Sequence, residues 1–181
     1  MEKDKKLPKS KSSEIPAGKV QRIRLFPTQE EKLILRHWMG TARWTYNRCL
    51  VAVEKEGIAR TKKALRAQCL NATNFNNTEL KWVLETPYDI HDETMNDLLK
   101  SYSTNFVAKR TKFKIKFCSK KDRQQSITIL SKHWGKSRGV YAFICKMKST
   151  ENLPAELHYD ARLVLNQLGK FYLCIPQPLE I

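Results

Sequence analysis

Lys19-Val20-Gln21-Arg22-Ile23-Arg24-Leu25-Phe26-Pro27-Thr28-Gln29-Glu30-Glu31 changes its period in mid-run. The first eight residues mix apolar Val20, Ile23 and Leu25 with polar neighbours and predict a half-buried strand, with Arg22 and Arg24 on its wet face. Pro27 ends it. Thr28 with Glu31 three residues on is a capping box, and Glu30 and Glu31 suit the positive end of a helix. A strand therefore stands ahead of the helices. If it pairs with strands from the far end of the chain, the helices are an insertion into a β domain.

Downstream, Ile34, Trp38, Ala42, Trp44 or Thr45, Cys49 and Val53 recur at helical spacing, with Gly40 expected to bend or break the helix and Gly57 to end it. Thr61 caps a second, basic helix over 62–70. An Asn-rich loop covers 71–77, and a short helix follows around 80–84. Pro87 introduces a long helix over about 89–109, striped by Ile90, Met95, Leu98, Leu99, Tyr102 and Phe106. After Arg110 the period falls to two. Phe113, Ile115 and Phe117 alternate with Lys112, Lys114 and Lys116, and Ile127 and Ile129 alternate with Ser126 and Thr128. Val140–Cys145 is a fuller apolar run. Residues 161–165 and 171–175 form a hairpin across Gly169. The expected fold is α+β: a small antiparallel β-barrel built from 19–27 plus 110–181, interrupted by a helical insert over 28–109 with helix-turn-helix character. Residues 1–18, rich in Lys, Ser and Pro, are expected to be a disordered basic arm, suited to nuclear localisation or non-specific phosphate contact.

The chain has 181 residues and a net charge of +16, with 41% hydrophobic residues. That is enough to bury a core. No apolar run approaches the roughly 20 residues of a membrane span, and no membrane partner is expected. The five cysteines are widely spaced with no C-x-x-C pair, which argues against a zinc knuckle or a disulfide framework. The charge is segregated. Residues 100–148 carry fourteen Lys and Arg and one acid, Asp122, whereas residues 27–99 carry ten of each sign. Such a block points to a polyanion, and no lipid-facing basic amphipathic helix accompanies it.

Within the block, Lys112, Lys114 and Lys116 fall on one face of an extended segment, about 6.5–7 Å apart, a spacing that tracks successive phosphates. Lys120, Lys121, Arg123 and Lys132 extend that surface. Of its aromatic residues most are expected in the core. Trp134, between His133 and Gly135-Lys136, is the one expected to stack on an unpaired base. Lys62, Lys63 and Arg66 stand at the first turns of the second helix, where a helix-turn-helix reads a groove. Asp89-Ile90-His91-Asp92-Glu93 is not taken as a metal site, because consecutive residues at a helix start point in different directions and acids there serve the helix dipole. The four histidines are isolated. No catalytic constellation and no metal site are expected.

Val20 to Thr28, the run Gly40-Thr41-Ala42-Arg43-Trp44-Thr45-Tyr46-Asn47-Arg48, the block Thr86-Pro87-Tyr88-Asp89-Ile90-His91-Asp92-Glu93 and the block Lys116 to Asp122 with Gln124 to Ile127 together resemble the front part of the TnpB transposon-encoded proteins and their Fanzor relatives. The last two blocks are closer to Fanzor. Gly169-Lys170-Phe171-Tyr172-Leu173 is similar to that family's last strand before its nuclease domain. The resemblance covers about 19–178. It implies a wedge-type barrel with a helical recognition insert that binds a structured guide RNA, double-stranded DNA, the guide–target heteroduplex and a short motif beside the target. By position, the motif contacts fall near Lys62, Lys63 and Arg66, near Tyr88 and Asp92, and near Ser131 and Lys132. Arg43, Tyr46 and Asn47 match as residues, with Tyr46 and Asn47 read as structural and Arg43 as a phosphate contact.

In the family the chemistry belongs to a RuvC-like domain whose acidic residues hold Mg²⁺, with a Cys-rich zinc element inside it. No counterpart of its first Asp-Pro-Gly motif occurs in residues 1–181. The expectation is a binding module, not an enzyme as this chain, with no cofactor of its own and, where the gene is split, a separately encoded RuvC domain as partner. Two other readings stay open: a helix-turn-helix DNA-binding regulator, and a split or non-functional remnant. Either way the expected location is intracellular, and nuclear in a eukaryotic host.

Overall fold

The computed structural model describes residues 17–71, 75 and 78–179. The elements run β1 (Ala17–Phe26), α1 (Gln29–Lys55), α2 (Lys62–Cys69), α3 (Lys81–Leu84), α4 (Tyr88–Val107), β2 (Gln124–Ile129), α5 (Ala142–Cys145), β3 (Lys148–Ser149), β4 (Ala161–Asn166) and β5 (Phe171–Pro178), with 3-10 turns at Thr78–Leu80 and Ser131–His133. The expected disorder of the arm falls on residues 1–16, which lie outside the described residues. Ala17 and Gly18 already belong to β1.

The strand ahead of the helices joins the strands that follow them. One antiparallel sheet runs in the order β2-β4-β5-β1-β3, with β1 paired to β5 from Ala17↔Pro178 to Leu25↔Phe171. Along β1, Ile23 and Leu25 are buried and Arg22 is exposed, as the alternation predicts. The β4–β5 hairpin turns at Gly169, whose φ of +74° is left-handed.

The sheet is open, which corrects the expected barrel. Two runs read as strands are not strands. Val140–Cys145 coils into α5, and Tyr141 and Ile144 turn inward from it. Lys112–Phe117 keeps the alternating burial as far as Lys116 but belongs to no strand among the described residues. Alternation reports only that a chain is extended with one face in contact. It does not name the partner, and here the partner is helical. Phe113 packs edge-on to Tyr102 and Phe106 of α4, and Ile115 is buried against the helices. The backbone of Cys118 is met by a side chain: Asn47 Nδ2 donates to its carbonyl at 2.9 Å and its N–H donates to Asn47 Oδ1 at 2.8 Å. One asparagine on α1 thus supplies both bonds that a neighbouring strand would. Asn47→Ala should cost about 2 kcal/mol, since two half-buried backbone groups lose their partners. Urea unfolding checks this, and a loss below about 0.5 kcal/mol would mean that water replaces the bonds at no cost.

α1 begins at the capping box: Thr28 Oγ1 accepts from Glu31 N, and Glu31 Oε1 accepts from Thr28 N. It runs 27 residues straight through Gly40, so the expected break does not occur. Gly57, with φ +67°, follows its end. Trp38, Ala42, Thr45 and Cys49 of the expected apolar face are buried, but at its start Leu35 is buried in place of Ile34, which is 42% exposed. α1 serves two cores. Its first half, through Leu35, Trp38, Met39 and Ala42, lies on the sheet with Ile23, Ile129, Leu163, Phe171 and Leu173. Its second half, through Cys49, Leu50 and Ala52, packs with Leu65 and Cys69 of α2 and Met95, Leu98 and Tyr102 of α4.

Candidate nucleic-acid interface

Thr61 caps α2, its hydroxyl accepting from Ala64 N at 3.2 Å, while Leu65 and Cys69 anchor the helix in the second core. That leaves Lys62, Lys63 and Arg66 on the outer side of its first turns. Pro87 precedes α4 and fixes its entry, which presents Tyr88 at 55% exposure. The two helix starts meet at Asp92. Lys62 Nζ lies 3.0 Å from Asp92 Oδ2, and Arg66 donates to Asp92 Oδ1 from Nε at 3.1 Å and also from Nη2. Arg66 Cζ sits 5.5 Å from the centroid of the Tyr88 ring. Burial alone would raise the Asp92 pKa, but the bonds from Arg66 and Lys62 outweigh it and hold the carboxyl below its usual range.

A third element closes on this corner. The Ser131–His133 turn is fixed by Asp160, whose Oδ1 accepts from Ser131 N at 2.8 Å, and His133 Nε2 lies 3.3 Å from Asp89 Oδ2 at the start of α4. Lys132 is exposed on that turn. The structure therefore gathers Lys62, Lys63 and Arg66 with Tyr88 and with Ser131 and Lys132 from three separate parts of the chain. Lys63 is exposed, whereas Lys62 and Arg66 are held by a carboxylate. Asp89 in the first turn of α4 and Asp92 in the next thus act through specific partners.

The other sequence-predicted residues lie elsewhere. Lys112, Lys114, Lys116, Lys120, Lys121 and Arg123 are exposed along the extended segment and the turn after it. Arg43 is fixed by a 2.6 Å bond from Nη1 to Gln125 Oε1 of β2. Arg22 stacks 3.9 Å over the Tyr172 ring and Arg24 lies 4.9 Å over Phe26, so both spend part of their cationic face on the sheet. Trp134 corrects the expectation of stacking. It is only 5% exposed, belongs to the sheet core and donates from Nε1 to the Pro154 carbonyl at 2.9 Å. Its His and Gly-Lys neighbours gave it a loop-like setting, but the loop folds inward. Tyr46 and Asn47 tie α1 to its neighbours, through Ser101 at 3.3 Å and through Cys118. Sequence reasoning missed Trp82, beside His37 at 5.8 Å, and left Trp44 as a helix-face residue. Both are half-buried at the surface.

His91 does not join the corner. It is buried between α1 and α3: Nε2 faces the Val83 carbonyl at 2.9 Å and must donate to it, so Nδ1 accepts from Thr45 Oγ1 at 2.9 Å. Burial lowers its pKa, with the Val83 bond opposing only in part. The folded state therefore holds fewer protons than the unfolded one as pH falls below the ordinary histidine value near 6.5. Stability contributed by neutral His91 is complete above that value and declines below it, at most about 1.4 kcal/mol per pH unit. Denaturant titrations from pH 8 to pH 5 should show that decline, and His91→Gln should flatten it.

Residues 19–63 match the helix-turn-helix domain model of the IS605 OrfB type. The match spans β1, α1 and the start of α2, ending on Lys62 and Lys63. This stretch is similar to the N-terminal region of TnpB-type transposon proteins, and a helix-turn-helix domain points to DNA binding. No curated protein matches the chain. Among the described residues no helix is long and apolar enough to cross a membrane.

Proposed function

We propose that this chain is the gripping module of a TnpB/Fanzor-like RNA-guided DNA endonuclease, nearer to Fanzor. It binds a structured guide RNA and target DNA and leaves phosphodiester cleavage to a RuvC-type domain. The observation that carries this reading is the corner where α2, α4 and the 131–133 turn meet at Asp92 and Asp89. A duplex groove laid there meets Lys63 and Lys132 as phosphate contacts, Tyr88 as an apolar contact and Arg66 as a fork. Asp92 takes the Nε–Nη2 edge of the guanidinium, and the end-on edge, formed by Nη1 and the second Nη2 proton, has no partner among the described residues. The lysines of the 112–116 segment and of the following turn extend the cationic surface to the guide RNA.

Arg66→Lys keeps the charge and loses the fork. It should weaken binding to a preferred DNA duplex about tenfold and flatten sequence preference, while the salt dependence stays as it was. Gel-shift or anisotropy titrations against a randomised duplex pool read this. Equal loss on every duplex would make Arg66 a phosphate contact only. The helix-turn-helix match also suits a regulator that needs no RNA. If a hairpin RNA leaves duplex affinity unchanged, the regulator reading replaces the guide-RNA one. Mg²⁺-dependent cleavage by the chain alone would overturn the division of labour.

A further inference from the structure

Three hollows adjoin on the flank of α1, away from the α2–α4 corner. The first, of about 420 Å³, is lined by Trp44, Trp82, Gly40, Arg43 and Lys120 among others. The second, of about 250 Å³, lies between α1, α4 and the 118–126 stretch and shares Arg43 with the first. The third, of about 460 Å³, is lined by Arg36, Lys120 and Lys121 and shares Lys120 with the first and Asp122 and Gln125 with the second. Arg43 and Lys120 thus stand as posts between neighbouring hollows, and Arg43 is held in place by Gln125.

We infer that this flank is a binding groove for unpaired nucleotides, distinct from the duplex-facing corner. A run of hollows at this scale, divided by cations and lined at one end by Trp44 and Trp82, suits a strand whose bases turn inward while its phosphates pass Arg43, Lys120 and Arg36. A duplex cannot use it, because its bases are stacked internally and do not reach a recessed ring. The first hollow takes a base by stacking, with the Trp82 backbone fixed through its carbonyl to His37 Nε2 at 2.9 Å. The second takes a base by its edge. Asp97 lines it, paired with Arg162 at 3.1 Å, and so does Asp122, the one acid among residues 100–148. A carboxylate repels phosphate and accepts from ring N–H and amino groups, so this hollow favours a base with two adjacent donors, guanine above the others. The inference rests on the nucleic-acid reading above and adds the strand state of the ligand.

Of the four tryptophans, Trp38 and Trp134 are buried, so Trp44 and Trp82 report on the groove. Titration of the whole chain with 15-mer oligouridine or oligodeoxythymidine should quench indole emission, and a 15-bp duplex should not. Trp82→Ala and Arg36→Gln should each weaken single-strand binding about tenfold and leave duplex binding unchanged. Arg36 is exposed and lies outside the lysine surface read as the guide-RNA contact, so its variant tests the groove even if Trp82→Ala loses stability. A central guanine in the 15-mer should tighten binding, and Asp122→Asn should remove that gain while keeping the acceptor for Ser119 N. Quenching by RNA alone or by DNA alone identifies which strand uses the groove, and either supports it. Absence of quenching while the duplex binds overturns the groove and spares the proposed function, and so does quenching that survives Trp82→Phe with Trp44→Phe. Absence of binding to every nucleic acid overturns both.

Discussion

Trp134→Ala will lower the unfolding free energy by about 4 kcal/mol, the largest single effect expected of any residue singled out in the sequence. The indole is 5% exposed in the sheet core beside Tyr141 and Ile144, and its N–H meets the Pro154 carbonyl. Truncation leaves a cavity and an orphaned carbonyl together. The loop cannot simply close over the gap. Gly135 has φ +75°, and a Cβ there would stand 2.6 Å from the Ala155 carbonyl oxygen, so the 134–135 stretch already lies against 154–155 without slack. Tyr141 feels the same dense core, where burial pushes its pKa up to about 12. Trp134→Phe should recover more than half of the loss by filling the space without the bond. Urea midpoints read the difference. A loss under 1 kcal/mol together with weakened nucleic-acid binding would return Trp134 to the surface role its neighbours suggested.

Replacing Lys112, Lys114 and Lys116 together by glutamine will weaken RNA binding by up to about 10²-fold near 0.1 M salt and reduce the slope of log affinity against log salt by about two to three. All three are exposed, and Phe113 and Ile115 between them carry the packing, so stability should hold. The slope is the sharper measure, because a partly misfolded protein loses affinity without changing the number of counterions released. An unchanged slope would mean that the lysines are solvated surface and that the polyanion lies elsewhere.

What could be read from the residues, and what could not, divides along contact distance. The capping box, the Thr61 cap, the α4 stripe and the β4–β5 hairpin depend on residues a few positions apart, and they were legible. The fate of Lys112–Phe117 depended on Asn47, Tyr102 and Phe106, residues on two helices, and extended periodicity is silent about whether a strand or a helix lies opposite. The Val140–Cys145 run was short enough to coil, and a run of apolar residues does not separate a strand from a buried turn. Without those two strands the expected barrel had no way to close.

The candidate site divides in the same way. Charge segregation pointed to a polyanion, a reading the helix-turn-helix match suits, and Lys62 and Arg66 meet Asp92 beside Tyr88 while the turn that carries Lys132 reaches Asp89. The anchor of Lys62 and Arg66 at Asp92 was invisible as a pairing, because it joins residues 26 and 30 apart in sequence. Trp82 carried no signal at all in a short helix of ordinary composition.

The two cores served by α1 impose a timing mark on the helix. Each residue advances the helix by about 100°, so one residue inserted between Ala42 and Cys49 would turn the half that grips the sheet by more than a quarter-turn against the half that grips α2 and α4. Both faces cannot then be seated at once. Like a camshaft, α1 fixes the phase between the corner at Asp92 and the sheet that carries β1. Length changes in this chain should therefore accumulate in the connections and be excluded from α1 between its two seats.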